Sequence, residues 1–257
     1  MSEQISFIFH GPYKEEHLEM INECRKYGEI ILSTDKKYIN EVAKNICLYD
    51  KICLYDFEDI GEIYNFQNMY KHACSVLQGL KLSNNRNCIK IRTSHSFSNL
   101  EYVINKIIEN HNDKYICDNF TINPTMPYHL ADTIVAGKRE TMTGIYQTLI
   151  DSLTNKDFIY QGIDIRIRAE VAFFCSYLKY KKIPIQNEDL VWFVDVDGKK
   201  YWFPVNNHTY INFIDSVADI IDIKEITPCN IKYTNVQINP DYTYRSLKDV
   251  IPLWINK

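Results

Sequence analysis

The chain has 257 residues, of which 46% are hydrophobic and 24% are charged, and its formal net charge is −4. These values are typical of an ordinary soluble globular protein, and the length fits one domain of generous size. No basic block runs along the chain, which argues against a nucleic-acid partner, although a local basic cleft for a phosphorylated small molecule is still compatible with this composition.

Membrane and export signals are also missing from the sequence. No apolar run approaches the roughly 20 residues that span a bilayer, and residues 1–4 lack the basic and apolar regions of a signal peptide. We therefore expect no transmembrane segment and a cytoplasmic location. The eight cysteines include no C-x-x-C pair, and they predict buried free thiols in a reducing compartment, as at Cys47, Cys53 and Cys117.

The first third of the chain alternates short apolar runs with a helical pattern. A strand is predicted over residues 5–10, where Gly11-Pro12 ends it, and a second strand is predicted over 29–32. Between them, apolar residues recur at helical spacing over 14–27, and Gly28 is placed as the C-terminal stop of this helix.

The alternation continues through the middle of the chain. We predict strands over residues 51–55, 88–92 and 115–117, and a long helix over 65–82. A further helix is predicted to begin at a capping box and to bury one apolar face. The capping box is Ser98 with Glu101, and the inward-facing residues are Leu100, Val103, Ile104, Ile107 and Ile108.

Strands that alternate with helices in this way predict a mostly parallel sheet that is covered by helices on both faces. In such sheets, ligands bind at the carboxyl ends of the strands. The strand ends that are polar or contain glycine are Gly11-Pro12, Ser33-Thr34-Asp35, Asp56 and Arg92-Thr93-Ser94. We therefore expect a ligand site where these segments meet.

The second half of the chain has a different pattern. Helices are predicted over residues 139–153 and 168–181, and a hairpin over 191–205 turns at Asp197-Gly198. Asp195 and Asp197 would share one face of a strand and reach one hard cation, but the Asp197-Gly198 step is also a strong turn signal, and we favour the turn. No flexible linker divides the chain, so residues 1–257 are predicted to form one domain.

Three polar positions each have a structural and a functional interpretation. Gly11 would let a ligand ring approach the backbone closely, or it serves only a turn. Arg92 would grip a phosphate with two hydrogen bonds, or it forms a surface ion pair. Glu170 begins an apolar helix, where it serves the helix dipole or, if it faces a cleft, suits proton transfer.

His129 and Asp132 are three residues apart and would share a face of a helical turn. No third His, Cys or carboxylate completes a zinc set, so the sequence argues against zinc. Asp132 then either bonds to His129 to hold a loop, or it binds sugar hydroxyls or acts as a base.

Five segments occur in the order in which they are found in a known family. They are residues 5–12, ending in Gly-Pro; residues 29–34, ending in Leu-Ser-Thr; Asn65-Phe66-Gln67 with Gly79-Leu80 downstream; Lys90-Ile91-Arg92-Thr93; and Tyr128-His129-Leu130-Ala131-Asp132 with Gly137. Ala169-Glu170 matches a Glu that follows. Together they resemble the WavE lipopolysaccharide-synthesis family of glycosyltransferases over roughly residues 5–175.

The resemblance implies an α/β fold of the glycosyltransferase-A type, a Rossmann-like sheet with an elaborated C-terminal part. Residues 1–135 would hold a nucleotide sugar, and residues 136–257 would shape the acceptor side. Such an enzyme moves a sugar from a nucleoside-diphosphate sugar to a hydroxyl of an acceptor. The acceptor implied is a growing surface glycan, a glycolipid or a lipopolysaccharide-like molecule.

The resemblance also assigns roles to residues. Asp132 and Glu170 would be catalytic and would hold the sugar or act as base. Arg92 and Lys138 would face the diphosphate. The other nucleotide-sugar contacts would come from Gly11, Pro12, Ser33, Asn65, Gln67, Ser94 and His129.

One departure from the family concerns the metal ion. The Lys-x-Arg segment of the family ends in an Asp that helps to hold Mn²⁺ or Mg²⁺, and Ser94 stands there in this chain. Because a serine contributes no carboxylate, we assign no residue as a metal ligand. Arg92, Lys138 and Arg139 would neutralise the diphosphate instead, or a metal is held from elsewhere, or catalysis has been lost.

Two other classes of function follow from these observations. The loss of the Asp is compatible with a catalytically inactive protein that binds nucleotide sugars or glycans. The 19 tyrosines are compatible with a protein-interaction module, which would bind no nucleotide.

Overall fold

The structure is a computed structural model of the chain. It describes residues 5–15, 17–56, 68–110, 112–118, 130, 132–165, 169–184, 190–194, 200–204, 213, 216–221 and 227–228. The helices are α1 (His17–Cys24), α2 (Ile39–Lys44), α3 (Met69–Leu82), α4 (Leu100–Glu109), α5 (Arg139–Thr154) and α6 (Ala169–Lys181). The strands are β1 (Ile5–His10), β2 (Gly28–Asp35), β3 (Lys51–Tyr55), β4 (Asn87–Arg92), β5 (His95–Ser96), β6 (Tyr115–Asp118), β7 (Ile134–Lys138), β8 (Ile159–Tyr160), β9 (Ile163–Asp164), β10 (Leu190–Val194), β11 (Lys200–Pro204), β12 (Ala218–Ile221) and β13 (Thr227–Pro228).

Seven strands form the central sheet, in the order β12, β6, β7, β4, β1, β2, β3. β7 runs antiparallel to both of its neighbours, β4 and β6. All other adjacent strands in this sheet are parallel. The predicted fold class, a mostly parallel Rossmann-like sheet flanked by helices, is therefore confirmed. The predicted C-terminal hairpin is present as the antiparallel pair β10 and β11.

The sheet is covered on both faces, as the burial of its interior strand β1 along the whole length shows. Phe7 and Phe9 pack into a core with residues of α1 and α4. Ile8 points the other way, into a core built from α3, α5 and α6. Burial on both faces explains why residues 5–9 read as a nearly continuous apolar run rather than as an alternating one.

Several predicted boundaries are wrong for local reasons. α1 ends at Cys24, and Gly28 begins β2 instead of ending the helix. α4 begins at Leu100, so its N-cap is Asn99 and not the predicted Ser98, and Asn99 makes no side-chain capping bond. Four of the predicted inward residues of α4 are buried, whereas Ile108 is 37% exposed.

β7 was not predicted as a strand from the sequence. It spans only five residues and contains Gly137, which has a φ of 157°. Short apolar runs of this length do not show a period that separates strand from helix. The direction of β7 matters for the site. Because β7 runs antiparallel to β4, the start of β7 lies beside the carboxyl end of β4.

All seven cysteines in the described part of the chain are free. Cys24, Cys88, Cys117 and Cys175 are buried, as predicted. Cys47 is exposed, because it lies in a short 3-10 turn outside the sheet, and Cys53 and Cys74 are half-buried. The prediction of burial is therefore corrected for these three. None of the described helices combines the length and apolar character needed to cross a membrane.

Candidate functional site

The carboxyl ends of β1, β2 and β4 meet at one edge of the sheet. His10 is level with Ser33 on one side and with Arg92 on the other. Hydrogen bonds tie the segments that follow: the Thr93 hydroxyl donates to the Pro12 carbonyl at 2.5 Å, and the Thr34 hydroxyl donates to the Gly11 carbonyl at 2.7 Å. The expected meeting of these strand ends is confirmed.

Gly11 gives this edge its shape. Its φ of 113° lies in the left-handed region, and an added Cβ would come within 3.3 Å of Thr93 Oγ1. A side chain at this position would therefore be strained and would press on the Thr93 hydroxyl. Gly11 is half-buried and Pro12 is exposed, so a ligand can approach the backbone here.

An ion pair joins β4 to the segment before β7. Arg92 Nη2 donates to Asp132 Oδ1 at 2.8 Å and to Asp132 Oδ2 at 2.7 Å. The Asp132 side chain is 1% exposed and that of Arg92 is 27% exposed. Asp132 reaches this edge because β7 runs antiparallel to β4, which places Ile134 opposite Ile91. The pair thus has a buried acidic end and a partly exposed basic end.

Lys90 lies beneath this pair and is 0% exposed. Ile89 and Ile91 enter the core with α1 and α4, so Lys90 points to the opposite face, as successive strand residues do. Lys90 Nζ has no hydrogen-bond partner among the residues that the structure describes. Burial lowers the pKa of Lys90 to about 7, against the opposing effect of the Asp132, Asp118 and Glu170 carboxylates.

Two histidines pack against the ion pair. The rings of His10 and His72 stack with their centroids 4.3 Å apart. Burial, followed by the charge of Lys90, lowers the pKa of both well below 6.5, so both are neutral near pH 7. His72 Nδ1 lies 3.5 Å from Asp132 Oδ2. Since His72 is uncharged, this contact is one between an imidazole and a carboxylate and not a salt bridge.

Asp118 completes what we call the buried charge cluster: His10, His72, Lys90, Arg92, Asp118 and Asp132. Asp118 is 0% exposed, and its Oδ2 accepts a hydrogen bond from the Ile134 amide at 2.7 Å. It ends β6, which carries it to the same edge of the sheet. A polar cluster of this kind, buried beneath the ligand-binding edge of a parallel sheet, is characteristic of functional sites.

Arg92 and Asp132 were predicted as site residues from the sequence, whereas the other members of the cluster were not. A signal for Lys90 was present, because it interrupts the run Cys88-Ile89-Lys90-Ile91 in a strand that is buried on both faces. A lysine in such a strand has to be buried. No comparable pattern marks His72, which lies on a helix distant in sequence.

The other predicted site residues differ in their distance from the buried charge cluster and in their contacts. Glu170 lies in the first turn of α6 and near enough to Lys90 to raise its pKa. Ser94 is half-buried and its hydroxyl lies 2.9 Å from His95 Nδ1. Ser33 is 0% exposed, and its hydroxyl donates to the Ser75 carbonyl at 2.6 Å, so it pairs β2 with α3 and does not face a ligand. Asn65, Gln67 and His129 lie outside the described residues, as do Asp195 and Asp197.

Lys138 does not join this group. It ends β7 and is level with Asn87 at the start of β4. Because β7 is reversed, its carboxyl end lies at the edge of the sheet opposite to Arg92. The expectation that Lys138 and Arg92 face one diphosphate is therefore corrected.

The described residues do not fit the divalent cation that the family resemblance implies. Both carboxylate oxygens of Asp132 lie within 2.8 Å of Arg92 Nη2, so a cation there would meet a guanidinium. Ser94 supplies only a hydroxyl, which already contacts His95. Within the described ranges, no group of three His, Cys, Asp or Glu side chains is arranged to hold a metal ion.

Comparisons with known proteins add little to this geometry. No protein-family model matches the chain, and no curated protein matches it. Among solved structures, the chain is similar to 4-diphosphocytidyl-2C-methyl-D-erythritol synthase from Anaerococcus prevotii, with 14% sequence identity and a TM-score of 0.41. The match covers 70% of this chain and 100% of that one. Any functional conclusion therefore depends on the site itself.

Proposed function

We propose that this chain is a glycosyltransferase that moves a sugar from a nucleoside-diphosphate sugar to a hydroxyl of a surface glycan or lipopolysaccharide-like acceptor. The observation that carries the proposal is the buried charge cluster at the carboxyl edge of β1 and β4. Its position is where sheets of this class bind ligands. Arg92, the partly exposed cation of the cluster, suits a diphosphate, because a charge in a water-poor site stabilises an anion more strongly than a charge in water does.

Arg92 is the residue assigned to the diphosphate. Its guanidinium is partly exposed at the edge, while its contact with Asp132 fixes the direction in which it points. Asp132 is therefore a positioning residue in this scheme. Lys90 lies beneath Arg92 and is fully charged only below its pKa of about 7. Gly11 with Pro12 offers an open backbone surface to the nucleotide.

Glu170 is assigned as the base. The acceptor oxygen attacks the anomeric carbon while the bond from that carbon to the diphosphate oxygen breaks. The hydroxyl proton passes to the Glu170 carboxylate, and the negative charge that develops on the leaving diphosphate is stabilised by Arg92. These steps require no oxidant or reductant, and all of them are assigned to side chains and not to a metal ion.

The first test is a thermal-shift panel of UDP-, GDP- and dTDP-sugars and the free diphosphates, with and without Mn²⁺. A ligand that binds the folded state raises the melting temperature, by an amount that grows with its concentration over Kd. We expect one nucleotide sugar to raise the melting temperature without Mn²⁺. Arg92→Gln should abolish this increase, whereas Lys26→Gln, a control on the protein surface, should retain it. No shift with any compound would contradict the proposal.

Asp132→Asn tests the positioning role. The asparagine keeps the size of the side chain but loses the charge that holds Arg92, and small misplacements of a binding group cost about 100-fold in rate. We expect kcat to fall by about that factor once a donor is identified, with a smaller change in KM. Unchanged turnover would remove Asp132 from the mechanism.

A second candidate function is favoured by Ser94 and by the poor fit for a metal ion: a catalytically inactive protein that binds nucleotide sugars. It predicts a thermal shift without product, and no gain from Ser94→Asp. Product formation by the unmodified chain, measured as release of free nucleoside diphosphate, would decide against it.

A further inference from the structure

A polar cavity of about 480 Å³ lies away from the candidate functional site. It occupies the edge of the sheet where β4 begins and β7 ends. Its lining residues are Asn84, Arg86, Asp113, Lys138, Arg139, Glu140, Thr141, Tyr180 and Lys181. The volume is in the range of small-molecule sites, and the cavity is partly open to solvent.

The lining of this cavity is predominantly cationic. Four of its side chains are basic, Arg86, Lys138, Arg139 and Lys181, and two are acidic, Asp113 and Glu140. This contrasts with the chain as a whole, whose formal net charge is −4. Positive charge concentrated in a concave surface of an acidic protein attracts anions.

Asp113 pairs with Lys181 and offsets the charge of that one cation, which leaves Arg86, Lys138 and Arg139 against Glu140. Asp113 Oδ2 accepts a hydrogen bond from the Thr141 hydroxyl at 2.5 Å and another from Lys181 Nζ at 2.8 Å. The carboxylate thus fixes Lys181 and the start of α5 in place. Arg86 and Lys138 have no ion pair within the described part of the chain.

The backbone adds to the cation cluster. α5 is 16 residues long and begins at Arg139, next to the cavity, and Lys138 at its N-cap makes no side-chain capping bond. The Arg139 amide donates to the Arg86 carbonyl at 2.6 Å, which joins the two basic residues through the main chain. The positive end of the helix dipole therefore has the same sign as the side chains around it.

Tyr180 gives the cavity a rigid aromatic wall. Its ring lies directly on Gly144 of α5, where an added Cβ would come within 2.2 Å of Tyr180 Cε2. The absence of a side chain at Gly144 lets α5 and α6 approach closely and holds the ring beside the basic residues.

We propose that this cavity is a second binding site of the chain, for a small molecule that carries a phosphate or diphosphate group. Arg86, Lys138, Arg139 and the start of α5 would bind the oxyanion, and Tyr180 would pack against the remainder of the ligand. The site is separate from the buried charge cluster and does not depend on the function assigned to that cluster.

The test is isothermal titration of the full chain with inorganic pyrophosphate and with inorganic phosphate. We expect saturable binding that weakens as NaCl is added, and that falls about tenfold or more in Lys138→Met and in Arg86→Met. Glu140→Gln should tighten binding, because it removes a negative charge from the lining. Lys44→Met, which makes the same charge change on the exposed surface of α2, is the matched control and should bind as the unmodified chain does.

Two outcomes would overturn the proposal. One is the absence of saturable binding of either anion. The other is binding that Arg92→Gln abolishes while Lys138→Met leaves it unchanged, since that pattern would place the anion at the candidate functional site. Circular dichroism and thermal unfolding of each variant would show that lost binding is not lost folding.

Discussion

Lys90 is a lysine in the middle of a central strand, fully buried and with no hydrogen-bond partner among the described residues. An isolated ammonium ion in such a place is strongly disfavoured, and burial accordingly lowers its pKa to about 7. The carboxylates of Asp132 and Asp118 only partly oppose this. Residues that oppose folding in this way persist mainly where function requires them.

Lys90→Met is expected to stabilise the protein. Between the folded pKa of about 7 and the ordinary value of 10.5, the unfolded chain binds a proton that the folded chain does not, so this group makes stability rise with pH. The advantage of the methionine variant should therefore shrink by about 2 kcal/mol from pH 7 to pH 9.

Urea unfolding of both proteins at the two pH values measures this difference. Lys81→Met, at an exposed position on α3, serves as the control and should show no such change. If Lys90→Met were less stable than the unmodified chain at pH 7, then Lys90 would be acting as a structural cation and not as a functional one.

At the scale of elements, α3 decides how the site is assembled. It is fixed to β2 by two hydrogen bonds, from the Ser33 hydroxyl to the Ser75 carbonyl at 2.6 Å and from the Ser75 hydroxyl to the Ser33 carbonyl at 3.1 Å. The same helix carries His72 to the buried charge cluster. Its distance from the sheet depends on Gly79, since an added Cβ there would lie 2.5 Å from Ile8 Cγ2.

Gly79→Ala is expected to destabilise the protein, although alanine favours a helix over glycine by about 1 kcal/mol. The methyl group has no room beside the buried Ile8, and overpacking of this kind costs about 1 to 3 kcal/mol. Chemical denaturation would measure the change, with Lys81→Ala on the same helix as a near-neutral control. A more stable Gly79→Ala would show that α3 can move away from the sheet at little cost.

Local sequence patterns predicted some of the helices and strands accurately and missed others. The strands β1, β3 and β4 and the helices α5 and α6 were predicted within one or two residues, because each has a clear apolar pattern and, for the strands, polar residues at its end. β7 was not predicted, because five residues that contain a glycine carry too little periodicity. Its direction was also inaccessible, since antiparallel pairing with β4 is a property of the assembled sheet.

At the scale of the whole molecule, four histidines with lowered pKa values make the fold sensitive to acid. Burial lowers the pKa of His10 and His72 well below 6.5, that of His17 to about 4 and that of His95 to about 3. Below pH 6.5 the unfolded chain binds protons at these positions while the folded chain does not. Their contribution therefore favours the folded state fully above about pH 6.5 and is lost as the pH falls.

We expect the free energy of unfolding to decrease from pH 7 to pH 5 by about 1 kcal/mol or more for each fully buried histidine. Denaturant unfolding across this range would measure it. In His72→Asn this decrease in the free energy of unfolding should be smaller. An equal decrease in the variant would show that another group is responsible.

The sequence by itself determined the fold class, the strand ends that meet at the ligand-binding edge, and Arg92 and Asp132 as separate candidate site residues. Each of these depends on local patterns: apolar runs, glycine and proline after strands, and polar residues placed where strands end. Three features were decided only by tertiary structure. The reversed β7 brings Asp132 to Arg92 and places Lys138 at the opposite edge of the sheet. α3 stacks His72 on His10. Burial on both faces of the sheet shields the Lys90 side chain from solvent. In each case the deciding contact joins residues far apart in the chain, and no local pattern specifies which distant segment will be the neighbour.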